Sequence, residues 1–206
     1  HPDVAASLNN IGGVYDSLGE YAKALNYYER SLKIYISALG ENHPDVATSL
    51  NNIGYVYYSL GEYGKALDYY ERSLKIRISV LGETHPDVAA SLNNIGGVYD
   101  SLGEYGKALD YYERSLKIRI SVLGENYPDV AISYNNIGYA YFSLGEYDKA
   151  LDYYERSLKI RLAVLGENHP RTRSIIENIE FIKETLGESQ EPSSKGSFFS
   201  RLFKKK

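Results

Sequence analysis

Apolar residues in the stretch 43–84 fall at helical spacing twice over. Leu50, Ile53, Tyr57 and Leu60 recur at i, i+3, i+7 and i+10, which predicts one buried side of a helix. Pro44 suits that helix's first turn, where its missing N–H costs nothing, and Asp45 sets a negative charge at the positive end of the helix dipole. Gly61 ends the run as a left-handed cap. A second run begins near Tyr63. Ala66, Tyr70 and Ser73 make a small-large-small stripe, Leu67, Leu74, Ile78 and Leu81 widen it, and Gly82 closes it. The short glycine-centred turn predicts antiparallel neighbours. Gly54 and Ala66 are small enough to let the two backbones approach.

The pattern returns every 42 residues. His1-Pro2-Asp3-Val4-Ala5 recurs from His43, from His85 and, with Tyr in place of His, from Tyr127; His169-Pro170 starts it once more. The units are 1–42, 43–84, 85–126, 127–168 and a final half-unit 169–188, with a segment of different composition at 189–206. Neither helix of a unit can bury its apolar face alone, so the expected fold is all-α, a solenoid in which stacking makes the core. In the half-unit, Glu180 stands where the others have Gly12, Gly54, Gly96 or Gly138. A charged side chain there blocks a packed second helix, so 169–188 is expected to be a polar capping helix. The chain opens in mid-motif and contains no Met, which reads as a piece of a longer protein.

Asn52-Ile53-Gly54 followed by Val56-Tyr57, then Gly61, Tyr63, Ala66-Leu67, Tyr69-Tyr70 and Ser73-Leu74, resembles the tetratricopeptide repeat. The long period is similar to that of kinesin light chains and related bacterial proteins. The resemblance covers residues 1–188. It implies a right-handed superhelix of helix pairs whose first helices line a concave groove that binds proteins or peptides. Ser31, Ser73, Ser115 and Ser157 stand where the family often has Ala.

Units two and three differ only at Thr48/Ala90, Tyr55/Gly97, Tyr58/Asp100 and Thr84/Asn126. The first three pairs, with Asn51, share one face of the first helix, about 200° from the apolar stripe. A constant scaffold with one varied face is what a binding surface shows; drift on an exposed face also spares the core. Asn9, Asn51, Asn93 and Asn135 form a ladder along this face. A carboxamide donates and accepts, so the ladder suits recognition of an extended backbone; the alternative is bonding to neighbours or water. Asn10, Asn52, Asn94 and Asn136 are expected to fix helix contacts. Around the ladder, Gly13 with Asp16 and Gly97 with Asp100 alternate with Tyr55 and Tyr58, then Tyr139 and Phe142; Thr48 and Ile132 add bulk. Glycines leave room, aromatics offer apolar walls and aspartates favour a basic ligand side chain. No Lys or Arg falls on the stripe, which argues against carboxylate clamping or acidic peptides.

Net charge is −4, with +4 in residues 189–206 and −8 in the repeats. An acidic body argues against nucleic acid as a partner. Cysteine is absent, so there is no disulfide or thiolate metal site, and no stretch reaches the roughly 20 apolar residues of a membrane span. His43, His85 and His169 sit one repeat apart and cannot meet on one metal. Gly61-Glu62-Tyr63-Gly64-Lys65 lacks the spacing of a phosphate loop. No nucleophile and base come together, and no catalysis, cofactor or metal is expected. The expected location is cytoplasmic.

Residues 190–197 are rich in Ser, Pro and Gly, as flexible linkers are. Phe198, Phe199, Arg201, Leu202, Phe203, Lys204, Lys205 and Lys206 follow. Three aromatics among four cations suit an anionic membrane surface, an aromatic and acidic groove, or neither. The leading expectation is a non-catalytic scaffold that binds an extended peptide or protein segment with apolar and basic side chains. The alternatives are a self-associating spacer that stacks by its repeats, or a targeting module of a larger enzymatic or membrane-attached protein.

Overall fold

In a computed structural model the described residues, 1–187, form helices and turns with no strand. They make two compact units, His1–Val122 and from Leu123 onward. The first unit contains α1 (Pro2–Ser17), α2 (Tyr21–Leu39), α3 (Pro44–Ser59), α4 (Tyr63–Leu81), α5 (Pro86–Ser101) and α6 (Tyr105–Leu123), whose last residue marks the boundary. The second contains α7 (Pro128–Ser143), α8 (Tyr147–Leu165) and α9 (Pro170–Thr185). Each odd helix starts at the predicted proline. Gly61 and Gly82 take the positive φ expected of them, +74° and +85°. After α3, Gly61 N–H donates to Tyr58 O and Glu62 N–H to Tyr57 O, which satisfies two end carbonyls of the helix.

The histidines stand at the starts of the odd helices and cap them. His43 Nδ1 accepts from Asp45 N–H at 3.2 Å, His85 Nδ1 from Asp87 N–H at 3.1 Å and His169 Nδ1 from Arg171 N–H at 3.2 Å. An imidazole nitrogen thus caps an N–H that the helix leaves over. Tyr127 occupies this place before α7 and makes no such bond.

Odd and even helices pack as antiparallel pairs through the small residues. A Cβ on Gly54 would lie 2.9 Å from Tyr70 Cδ1, and one on Gly96 2.7 Å from Tyr112 Cδ1, so only glycine lets those rings in. Ser31, Ser73, Ser115 and Ser157 each donate at 2.7 Å to a carbonyl of the paired odd helix, Ala5, Ala47, Ala89 and Ala131. The serine departures from the family pattern therefore add one buried interhelical hydrogen bond per repeat. Each is worth about 0.5–1.5 kcal/mol net.

The buried side of α3 is wider than the spacing predicted. Leu50 and Ile53 are sealed, and so are Val46, Ala47, Ser49 and Val56. Leu60 corrects the expectation: it lies one residue past the helix end and is 43% exposed. Tyr57 is half-buried and stacks on Tyr69 at 5.5 Å between ring centres. The extra width arises because α3 packs on α2 of the preceding repeat as well as on α4. In α9, Ile175, Ile179 and Ile182 pack against α8, while Glu180 is exposed where the other odd helices hold a buried glycine.

Candidate functional site

The varied stripe lies on the accessible side of the odd helices. In the first unit, Asn9, Gly13 and Asp16 on α1, Asn51 and Tyr58 on α3, and Asn93, Gly97 and Asp100 on α5 are half-buried. Thr48 is exposed and Tyr55 is 51% exposed. In the second unit Ile132, Asn135 and Phe142 are half-buried and Tyr139 is exposed. None of the fourteen is sealed in the interior.

Hydrogen bonds between repeats use part of the asparagine ladder. Asn52 Nδ2 donates to Asn9 Oδ1 at 3.0 Å, and Asn94 Nδ2 donates to Asn51 Oδ1 at 3.0 Å. Of the four asparagines expected to fix helix contacts, Asn52 and Asn94 therefore do so. The ladder residue answers with its carbonyl oxygen, leaving an NH₂ group and one lone pair for anything that lies along the stripe. Tyr58 is tied down as well. Ser101 Oγ has one hydrogen and donates it to Gly97 O at 2.9 Å, so the 2.9 Å contact with Tyr58 makes the tyrosine hydroxyl the donor.

Buried tyrosines from the even helices lie under the stripe. Gly13 stands over Tyr28: a Cβ there would be 3.6 Å from the hydroxyl oxygen. Gly97 relates to Tyr112 in the same way, at 3.8 Å. Burial, with the Asp16 carboxylate adding to it, pushes the Tyr28 hydroxyl up to about 12. Burial also raises Tyr70, followed by Tyr55, Tyr58 and Asp16, so side chains from α1 and α3 converge electrostatically on one phenol. An open hollow of about 460 Å³ lies beside α1, lined by Asn9, Asn10, Gly13, Val14, Ser17, Leu18, Tyr28 and Asn52.

The two aspartates are the unusual groups. Asp16 Oδ1 and Asp100 Oδ1 are buried and have no hydrogen-bond partner among the described residues. Desolvation raises both carboxyls, Asp100 to about 6. Each therefore favours an incoming positive charge or proton donor.

The spacing of the second helix marked Tyr70, and with it its counterparts Tyr28 and Tyr112, as buried residues, but it singled out neither Arg77 nor Phe181. Arg77 is buried, donating to Asp87 O at 3.0 Å and Ser91 Oγ at 2.8 Å. Phe181 stands 42 residues after Tyr139, continues the stripe register onto α9, and is 56% exposed. It meets Phe142 edge-on at 5.9 Å between centres. Extending the repeat register one unit further would have found it. Phe198, Phe199, Arg201, Leu202, Phe203, Lys204, Lys205 and Lys206 lie outside the described residues.

Among the described residues no group of three or more His, Asp or Glu side chains gathers to hold a metal, and no helix is long and apolar enough to cross a membrane. No curated protein sequence matches the chain. The crystal structure of BtubC (BKLC) from P. vanneervenii superposes with a TM-score of 0.83 at 24% identity, covering 98% of this chain and 80% of that one. A putative kinesin light chain from Podosopora anserina, with nearly identical repeats, gives 0.78 at 21% identity over 98% and 94%. The apo form of RapI gives 0.77 at 22% identity over 89% and 64%. The family model described as tetratricopeptide repeat matches residues 3–79, 51–121, 103–163 and 129–191 in overlapping copies. With the helix pairs, their glycine and serine contacts and this coverage together, the chain belongs to the tetratricopeptide repeat family.

Proposed function

We propose that the stripe on the odd helices binds an extended peptide or protein segment and that the chain works as a non-catalytic scaffold. Tetratricopeptide repeats generally mediate protein–protein interaction, binding protein or peptide partners. The observation that carries the finer reading is where two nearly identical repeats differ. Three of their four differences fall at 48/90, 55/97 and 58/100, on accessible positions, above a floor that does not change. The ligand this surface suits has apolar side chains for Tyr55 and the spaces over Gly13 and Gly97, and basic ones for Asp16 and Asp100. The remaining NH₂ groups of Asn9 and Asn51 suit its backbone carbonyls.

The test is selection from a library of extended peptides, followed by titration of the best binder into three proteins. These are the unaltered chain, the Asn51→Ala/Asn93→Ala double variant and Tyr55→Ala, each checked for helix content. Loss of about tenfold in affinity, roughly 1.4 kcal/mol, is expected in each variant. Equal binding to all three would overturn the proposal.

A further inference from the structure

The stripe has chemistry on one side only. Helices α1, α3 and α5 contain no lysine or arginine, but they contain Asp3, Asp16, Asp45, Asp87 and Asp100. Asp16 and Asp100 each keep a buried carboxylate oxygen without a partner, and such a group is relieved by positive charge at its other oxygen. Tyr55 is half in solvent, and the hollow over Tyr28 has room for an aromatic side chain. The missing complement is a short segment with aromatics and cations and no acid.

Residues 198–206 of this chain are such a segment. They contain Phe198, Phe199, Leu202 and Phe203 with Arg201, Lys204, Lys205 and Lys206, and the last acid before them is Glu191. We propose that residues 198–206 of one copy occupy the stripe on α1, α3 and α5 of a second copy; this rests on reading the stripe as a peptide-binding surface. The lengths agree. Nine residues reach about 30 Å when extended. Three neighbouring helices spaced about 8–10 Å apart set out a stripe of roughly 20 Å. Charge agrees as well, since the repeats carry −8 and residues 189–206 carry +4. The contact joins two different surfaces, so it closes into a pair only where two copies exchange their segments and otherwise links copies into chains or rings.

The test uses the full chain with Phe198, Phe199, Leu202 and Phe203 all changed to Ser, so that its own segment does not compete. A labelled synthetic peptide of residues 189–206 is titrated into this chain, and into the same chain carrying Tyr55→Ala or Asp16→Asn with Asp100→Asn. Binding weakened about tenfold or more by either change is expected, and so is a sedimenting mass of the unaltered chain that rises with concentration and stops rising in the four-serine variant. Binding that ignores the stripe variants overturns the proposal. If the peptide fails to bind while library-selected peptides still bind the stripe, the occupant is wrong and the peptide-binding reading stands; if neither binds, both fall. A peptide that binds vesicles of phosphatidylserine and phosphatidylcholine but not the chain also overturns it, and assigns the segment to a membrane surface.

Discussion

Arg77 Nη1 donates to Ser91 Oγ across 2.8 Å and so ties α4 to α5. One repeat earlier the relationship is broken. Tyr35 stands where Arg77 does, and Ser49, the counterpart of Ser91, has a buried Oγ with no partner. The two serines are one residue type at one repeat position, yet they make opposite contributions. Ser91→Ala removes an acceptor from a buried guanidinium and is expected to cost about 1–3 kcal/mol. Ser49→Ala removes an orphan hydroxyl and is expected to be neutral or stabilising. Urea unfolding of both variants checks this; equal losses would mean that the arginine bond carries no weight.

Gly96 and Gly97 are adjacent on α5 and are expected to respond in opposite directions. A methyl group at Gly96 would sit 2.7 Å from two carbons of the Tyr112 ring and 3.3 Å from Ala108 O, so Gly96→Ala forces apart a buried pair. A loss of about 1–3 kcal/mol is expected. At Gly97 the added carbon would be 3.8 Å from Tyr112 Oη, an ordinary contact. Gly97→Ala is therefore expected to gain roughly 0.5–1 kcal/mol, the usual helix preference for Ala. Thermal melting separates the two cases.

Asp100 makes stability fall as pH rises. Desolvation lifts its carboxyl from 3.8 to about 6 in the folded chain, so between those values the folded state holds a proton that the unfolded state has released. Its contribution is harmless below about pH 4, and the full penalty is reached above about 6. Asp100→Asn has no such titration. Its stability relative to the unaltered chain is expected to rise through this window and to be roughly 1–2 kcal/mol greater at neutral pH. Denaturation of both proteins at several pH values checks the sign; a difference that stays flat with pH would show that the carboxyl is better solvated than its burial implies.

Much of the architecture was legible beforehand because it depends on short-range spacing. The recurrence of Leu50 and Ile53 marks a helix, and Pro44 and Gly61 bound it at the residues where α3 and its cap occur. Glu180, read against Gly138, set the last odd helix apart from the others, and the side chain is exposed. The stripe followed from comparing copies, which differ at 48, 55 and 58 around the unchanging Asn51.

The sequence by itself determined the period, the helix pairs, their caps and the faces on which copies differ, because each follows from 3.6 residues per turn and the local chemistry of proline and glycine. Tertiary structure decided which groups are sealed and which are left unpaired, because that depends on what packs across from them. Gly96 and Gly97 are adjacent on α5, yet an added carbon would strike the Tyr112 ring from the first and make only an ordinary contact from the second. Ser49 and Ser91 differ because Tyr35 stands before the first where Arg77 stands before the second, and Leu60, whose helical register alone would have buried it, is exposed because α3 ends one residue before it.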